Sequence, residues 1–361
     1  MSGIIMSKHK FPYKWTLKDA VFTKDRGKVF SCFSCGGGST MGYKLAGFDV
    51  IGCNEIDPKM MELYRLNHNP KLSYLEPIQT FKLRDDLPQE LYNLDILDGS
   101  PPCSSFSIAG NRESDWGKEK KFREGQAEQV LDTLFFDFID LAKKLQPKVV
   151  IAENVKGLLL GAAKDYMRRI YEAFDDAGYY CQHRLLNAQY MGVPQRRERV
   201  FFLCLRKDIA TPLLETVSLF ETLPTIDMDF AEPPILYGEF ADYKGREIKG
   251  EKLRFYWENR IPEDDGMGDT TLRILGKEKC FNHRYDKENE VCHTLTAKDA
   301  CFCYSQPRAH SVGDVLNIST FPQDYKFLKQ SAHYVCGMSV PPVMMAQISN
   351  QIYEQWLSKI K

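Results

Sequence analysis

Apolar, strand-like runs alternate with amphipathic, helix-like runs through the first two hundred residues, and no other feature narrows the fold as much. The strand-like runs fall at Lys28 to Phe33, Asp49 to Asn54, Asn93 to Leu97, Val149 to Ala152, Tyr180 to Leu186 and Val200 to Leu205. Helical periodicity falls between them, at Ser39 to Ala46, Pro58 to Asn67, Ala127 to Leu145 and Asp165 to Ala177. Strand and helix in alternation are the signature of an α/β fold, a mostly parallel sheet covered by helices on both faces.

From about Asp208 this order dissolves into short, polar pieces punctuated by Pro and Gly, such as Pro262-Glu-Asp-Asp-Gly-Met-Gly268. Periodicity returns after about Gly313, and Val343 to Ile360 reads as a closing helix. We expect a large domain over 1–207, a small irregular lobe over 208–310, and a segment over 311–361 that returns to the large domain. With 361 residues, 43% of them hydrophobic, the chain can bury a core of that size. No window approaches a membrane span, and Met1 to Lys18 lacks the apolar centre of a signal peptide. Eleven scattered cysteines do not form a disulfide framework, so a reduced, cytoplasmic setting is expected. A net charge of −1 leaves a polyanionic partner open, because phosphate binding depends on local clusters. Such clusters occur at Lys118 to Arg123 and at Arg196, Arg197 and Arg199.

Five short motifs carry chemistry. Leu97-Asp-Gly-Ser-Pro-Pro-Cys103 puts a thiol just beyond a strand, after two prolines that stiffen the turn, at the edge where α/β enzymes expose reactive groups. Phe33-Ser-Cys-Gly-Gly-Gly-Ser-Thr-Met-Gly42 is a glycine cluster running into a helix, where backbone amides can approach a ligand, although it does not spell the dinucleotide fingerprint. Asn54-Glu55-Ile56-Asp57 ends the next strand with an acid placed to meet ribose hydroxyls, or to cap the helix that begins at Pro58. Val149-Val-Ile-Ala-Glu-Asn-Val155 delivers a partly desolvated carboxyl suited to general acid work, and Gln195-Arg-Arg-Glu-Arg199 offers two arginines two residues apart.

In this order and at these separations, the motifs resemble the cytosine-5 DNA methyltransferase family of bacteria and phages. Thr133-Leu-Phe-Phe136, Phe321-Pro322 and Gly337-Met-Ser-Val-Pro341 are similar to its remaining landmarks. The resemblance implies a Rossmann-like fold that uses S-adenosylmethionine, with a target-recognition lobe where the chain is irregular. It implies a catalytic set of Cys103, Glu153, Arg197 and Arg199, with Cys103 adding to carbon 6 of cytosine, Glu153 meeting N3, Arg199 meeting O2, and Arg197 supporting Glu153 or the ring. Phe33, Gly36, Gly37, Gly38, Glu55, Ile56, Pro102 and Leu134 are the implied cofactor contacts. Because carbon 6 is hidden in a duplex, the target base must be rotated out of the stack. The segment Ser104 to Gly125 is then the expected clamp on double-stranded DNA, with Ser107, Arg112, Lys118, Lys120, Lys121 and Arg123 on the DNA and Trp116 or Ile108 near the vacated base. The enzyme is expected to be a cytoplasmic monomer that shares its site with a restriction endonuclease.

Three positions depart from the family pattern: Cys35 replaces a glycine, Met338 replaces an asparagine, and Glu76-Pro-Ile78 lacks the usual aspartate. Cys280, His283, Cys292, His293, Cys301 and Cys303 gather in the irregular lobe, but their spacing matches no standard zinc finger and no metal is expected. Competing readings are a tRNA methyltransferase of the same chemistry, a catalytically silent DNA-binding homologue, and a nicotinamide dehydrogenase. The last leaves the Pro-Pro-Cys turn unexplained. Arg246, Arg254, Arg260, Arg273 and Arg284 are candidates for guanine contacts, with nothing to choose among them.

Overall fold

The computed structural model describes residues 8–102, 133–160, 163–216, 222–297 and 301–360, and the backbone alone of 119–120, 129–130, 217–218 and 221. The chain divides into two compact units. One comprises Val21–Leu186, Glu198–Asp229 and Met345–Lys361, and the other Met1–Ala20, Asn187–Arg197 and Phe230–Met344.

The first unit is built on a seven-stranded sheet. Its strands are β1 (Lys28–Cys32), β2 (Asp49–Glu55), β3 (Leu72–Leu75), β4 (Ile96–Gly99), β5 (Val149–Val155), β6 (Tyr179–Asn187) and β7 (Glu198–Arg206), in the spatial order β3-β2-β1-β4-β5-β7-β6. The ladders β3·β2, β2·β1, β1·β4 and β4·β5 are parallel, whereas β5·β7 is antiparallel. The mostly parallel α/β architecture expected from the alternation is therefore the one observed. Because β7 runs against β5, its amino end lies at the edge where the parallel strands end.

Helices α1 (Gly38–Leu45), α2 (Pro58–His68), α3 (Leu134–Leu145) and α4 (Lys164–Asp176) connect the strands. Phe30 and Cys32 of β1, Leu97 of β4, Val150 and Ala152 of β5, and Val200, Phe202 and Cys204 of β7 point to one face, where they pack with Leu134, Phe135, Phe138, Ile170 and Phe174 of α3 and α4. The residues between them, including Ser31, Asp98, Ile151, Glu153, Arg199 and Phe201, must point to the opposite face, because side chains alternate along a strand. Asp57, two residues beyond β2, starts α2 by accepting the amides of Lys59 and Met60, with Pro58 in the first turn.

Three expectations shift. The run from Asn93 is helical through Gln89–Asn93, and the strand begins at Ile96 and carries Asp98 inside it. The helix expected from Ala127 begins at Leu134, and Gln129–Val130 pairs with Glu119–Lys120 as a short antiparallel ladder. The closing helix spans Pro342–Gln355.

The second unit holds α5 (Glu251–Glu258), α6 (Met267–Leu275), α7 (Val312–Ser319) and α8 (Ala332–Met338), with two short parallel strands, β8 (Arg284–Asp286) and β9 (Cys301–Cys303). Its small core joins Tyr256, Trp257, Met267, Tyr285, Phe302 and Ala309. Among the described residues, no helix is long and apolar enough to cross a membrane.

Candidate active site

The turn after β1 is wound tightly. Phe33 has φ 53°, Cys35 φ 47° and Gly37 φ 79°, so two residues with side chains occupy the left-handed region. A non-glycine residue there costs roughly 1–2 kcal/mol, which explains why a glycine suits position 35. Gly37 caps α1 without a side chain, leaving the first amides of the helix unclaimed by any cap. Position 37 also has no room, since a Cβ there would fall 2.2 Å from Nε2 of His68. Burial pushes the His68 pKa down to about 3, so the ring is neutral and its Nε2–H donates to the Gly36 carbonyl at 3.2 Å. His68, from the end of α2, thus fixes the glycine turn.

Glu55 ends β2 and is buried. Its Oε2 accepts from the Cys35 amide at 2.7 Å, and its Oε1 accepts from the amides of Ile56 and Asp57, both at 2.9 Å. Burial raises its pKa and these amide bonds oppose the rise. One carboxylate therefore clamps the β1 and β2 turns together, and Oε2 retains capacity for one further donor such as a sugar hydroxyl. Phe33 stands edge-on to Phe138 at 6.3 Å and packs as an apolar wall on the cluster that holds buried Leu134. An uncapped helix start, an acid with a spare acceptor site and an apolar wall fit the helix-terminus anion, ribose and base of S-adenosylmethionine.

Pro101 and Pro102 leave the end of β4. Nδ2 of Asn154, at the end of β5, donates to the Pro101 carbonyl at 3.1 Å, while its Oδ1 accepts from the Val155 amide at 2.8 Å. Asn154 ties the proline turn to the neighbouring strand immediately before Cys103. Cys103, Ser107, Ile108, Arg112, Trp116, Lys118, Lys121 and Arg123 lie outside the described residues, as does the side chain of Lys120.

Glu153 and Arg199 meet on the sheet face opposite the α3 and α4 core. Pairing sets Glu153 against Phe201 and Val155 against Arg199. The antiparallel ladder therefore brings residues 46 apart in sequence to adjacent positions, and Nε of Arg199 lies 3.0 Å from Oε1 of Glu153. Both side chains are largely buried, 12% exposed for Glu153 and 18% for Arg199. Burial lowers the Arg199 pKa, which Glu153 opposes. Asp98 lies on the same face: it is paired with Ser31 and with Ile151, two residues before Glu153. Its carboxylate accepts from Ser31 Oγ at 2.7 Å and from Tyr43 OH at 3.0 Å. Burial first, and the neighbouring Glu153 charge second, push its pKa up to about 7 against the relief of those two hydroxyls.

Arg197 precedes β7 and is buried in the second unit, where its guanidinium donates to the carbonyls of Leu295 at 3.1 Å and Gly337 at 3.2 Å. Gly337 is required there, because a Cβ would lie 2.1 Å from the Thr296 carbonyl oxygen. Four of the five arginines considered for base reading are tied up locally. Arg254 pairs with Glu258 at 2.7 Å, Arg260 stacks 3.5 Å over Trp257, Arg273 pairs with Asp264 at 2.7 Å, and Arg284 lies 3.4 Å from Asp265. Sequence reasoning found a role for none of Asp98, His68 and Asn154.

The family model for C-5 cytosine-specific DNA methylase matches residues 27–354. The Type II methyltransferase M.NgoPII of Neisseria gonorrhoeae is 28% identical over 342 residues, covering 90% of this chain and 95% of its own. The Type II methyltransferase M.FnuDI of Fusobacterium nucleatum is 37% identical over 182 residues, about half of each chain. Among solved structures, the S. pombe Dnmt2 methyltransferase matches 91% of this chain and 98% of its own, with TM-score 0.56 and 15% identity, a likeness of fold. The chain belongs to the C-5 cytosine-specific DNA methylase family, and it is a DNA (cytosine-5-)-methyltransferase whose methyl donor is S-adenosylmethionine.

Proposed function

We propose that Cys103, Glu153 and Arg199 carry the reaction on a cytosine rotated out of duplex DNA. The observation that carries this assignment is the Glu153–Arg199 pair at 3.0 Å on the sheet edge where the proline turn is pinned by Asn154. N3 and O2 are adjacent on the cytosine ring, so a carboxyl and a guanidinium held side by side can each meet one of them.

Carbon 5 of cytosine becomes nucleophilic only after addition at carbon 6. The Cys103 thiolate forms a sulfur–carbon bond to carbon 6 while the carbon 5–carbon 6 π electrons move toward carbon 5. Glu153 holds a proton at N3, and Arg199 holds O2, so the electron-rich ring is stabilised as it forms. S-adenosylmethionine, when bound, supplies an electrophilic methyl carbon. After carbon 5 has taken that methyl group, loss of its proton to solvent returns an electron pair to the ring and breaks the sulfur–carbon bond, restoring the thiolate. Phe33, Gly36, Gly37, Gly38, Glu55, Ile56, Pro102 and Leu134 line the donor site, with Asn154 and His68 as positioning residues. Arg197 acts structurally, through the Leu295 and Gly337 carbonyls.

Residues 208–310 form the target-recognition region, and Ser107, Arg112, Lys118, Lys120, Lys121 and Arg123 hold the DNA backbone. The enzyme works as a monomer in the cytoplasm of a prokaryote or of a phage-infected cell, protecting a site that a companion endonuclease cuts. Relatives named as Type II methyltransferases support that setting. Bisulfite sequencing of DNA from cells expressing the chain tests the assignment: cytosines within one short sequence are protected, and Cys103→Ser removes the protection. Unprotected cytosines with both chains would refute it.

A further inference from the structure

The second unit contains a buried donor cluster that methyl transfer does not use. β8 and β9 pair in parallel with Arg284 opposite Cys301 and Asp286 opposite Cys303. On the other side of β9, Phe302 bridges Ala309 in antiparallel fashion, and the His310 amide donates to the Cys301 carbonyl at 3.3 Å. Tyr285, Phe302 and Ala309 belong to the apolar core. By alternation, Asp286, Cys301, Cys303 and His310 therefore share the opposite face of this three-segment patch.

On that face one ligand atom from each of Asp286, Cys301 and His310 lies within 4.8 Å of the others, and all three residues are buried. The side chains of His310 and Asp286 are 0% and 1% exposed. Oδ1 of Asp286 is fully engaged: it accepts from the His293 amide and lies against His293 Nδ1, both at 2.7 Å. Oδ2 is not. It lies 3.1 Å from Nε2 of His310, yet the two are not aligned as a hydrogen bond, and Oδ2 and both ring nitrogens of His310 have no hydrogen-bond partner among the described residues.

Buried polar atoms without hydrogen-bond partners are destabilising, so such a group needs a reason. A hydrogen-bonded ion pair would aim a proton from His310 at Asp286. Two lone pairs aimed at a common third point leave an oxygen and a nitrogen close together but misaligned, as found here. We infer that Asp286, Cys301 and His310 bind a divalent transition-metal ion, with zinc the ion that a thiolate, an imidazole and a carboxylate together favour.

Tetrahedral zinc, with bonds of about 2.0–2.3 Å, places its ligand atoms roughly 3.3–3.8 Å apart, so the cluster closes by about 1 Å on binding. Cys301 loses its thiol proton to solvent as the sulfur–metal bond forms, and the thiolate and the Asp286 carboxylate balance the dication. His293, bonded to Asp286 and 2.9 Å from Asp265 through its other nitrogen, orients the carboxylate from behind. Cys280 and His283 do not belong: His283 stacks on Phe302 at 5.6 Å, on the core face. The ion ties β8, β9 and the lead into α7 together. The set departs from the expectation of no metal because Asp286 and His310 lie outside the Cys/His cluster visible in the sequence.

The test is the metal content of the full-length protein purified without chelators from zinc-supplemented cells, followed by replacement with cobalt(II). The expected result is about one zinc per chain and, with cobalt, a near-ultraviolet thiolate charge-transfer band with tetrahedral visible bands. Cys301→Ser removes the charge-transfer band, and His310→Leu lowers the metal content to below about a tenth, while Cys280→Ser changes neither. Wild-type protein that is metal-free and takes up no cobalt overturns the inference, as does zinc without a thiolate band. Because wild-type content decides it, a variant that fails to fold does not rescue the idea.

Discussion

Replacing Asp98 by Asn tests the electrostatics of the catalytic face through the pH dependence of stability. Asp98 is buried within β4, and its pKa stands at about 7 against an ordinary value of 3.8. The folded chain therefore holds a proton that the unfolded chain releases, and stability falls as pH rises from the lower value through the upper one. Three pKa units correspond to about 4 kcal/mol in total, of which about 2.5 kcal/mol is lost between roughly pH 5 and pH 8. Asn keeps the shape and can exchange hydrogen bonds with the Ser31 and Tyr43 hydroxyls, but it does not titrate. Urea unfolding of both proteins across that range should show the Asp98→Asn variant gaining about 2.5 kcal/mol relative to wild type, with groups common to both cancelling. Infrared difference spectra should show a protonated-carboxyl band near neutral pH in wild type alone. A stability difference that stays flat to within about 0.5 kcal/mol would refute the reasoning, because Asp98 would then not carry the proton.

Other perturbations separate the remaining parts of the account. Cys35→Gly removes left-handed strain in the turn after β1, and should raise stability by roughly 0.5–1 kcal/mol in thermal unfolding; a loss of stability would contradict the strain reading. Glu153→Gln should lower kcat by about 10²–10⁴, and Arg199→Lys by at least about tenfold because an ammonium cannot reproduce the guanidinium fork; cofactor affinity should barely move in either, by calorimetry. Asn154→Ala leaves the Pro101 carbonyl without its donor, and should lower kcat about tenfold with little change in cofactor affinity; unchanged kcat would remove Asn154 from the positioning residues.

Much of the sheet was legible because buried strands in an α/β fold are apolar runs, and β1, β2, β5 and β7 are such runs. β3 was not, since Leu-Ser-Tyr-Leu is short and partly exposed, with no period to mark it. β4 was displaced because an acid inside a strand looks like its end; Ser31 and Tyr43 make Asp98 tolerable there, and neither is near it in sequence. The antiparallel course of β7 was also hidden, and it is what brings Arg199 beside Glu153. Glu55 was read as a ribose ligand or a cap, and the structure adds a third role, the clamp on Cys35. The partners of Arg197, the carbonyls of Leu295 and Gly337, come from about a hundred residues away or more, beyond the reach of any local period.

The most direct measurement is covalent capture. Duplex oligonucleotides carrying 5-fluorocytosine at the target position, incubated with the enzyme and S-adenosylmethionine, replace the departing proton with a fluorine that cannot leave. A stable protein–DNA conjugate should form, with mass spectrometry locating the attachment at Cys103, and Cys103→Ser should form none. Absence of any conjugate on DNA that the enzyme is shown to methylate, or attachment at another residue, would contradict the account.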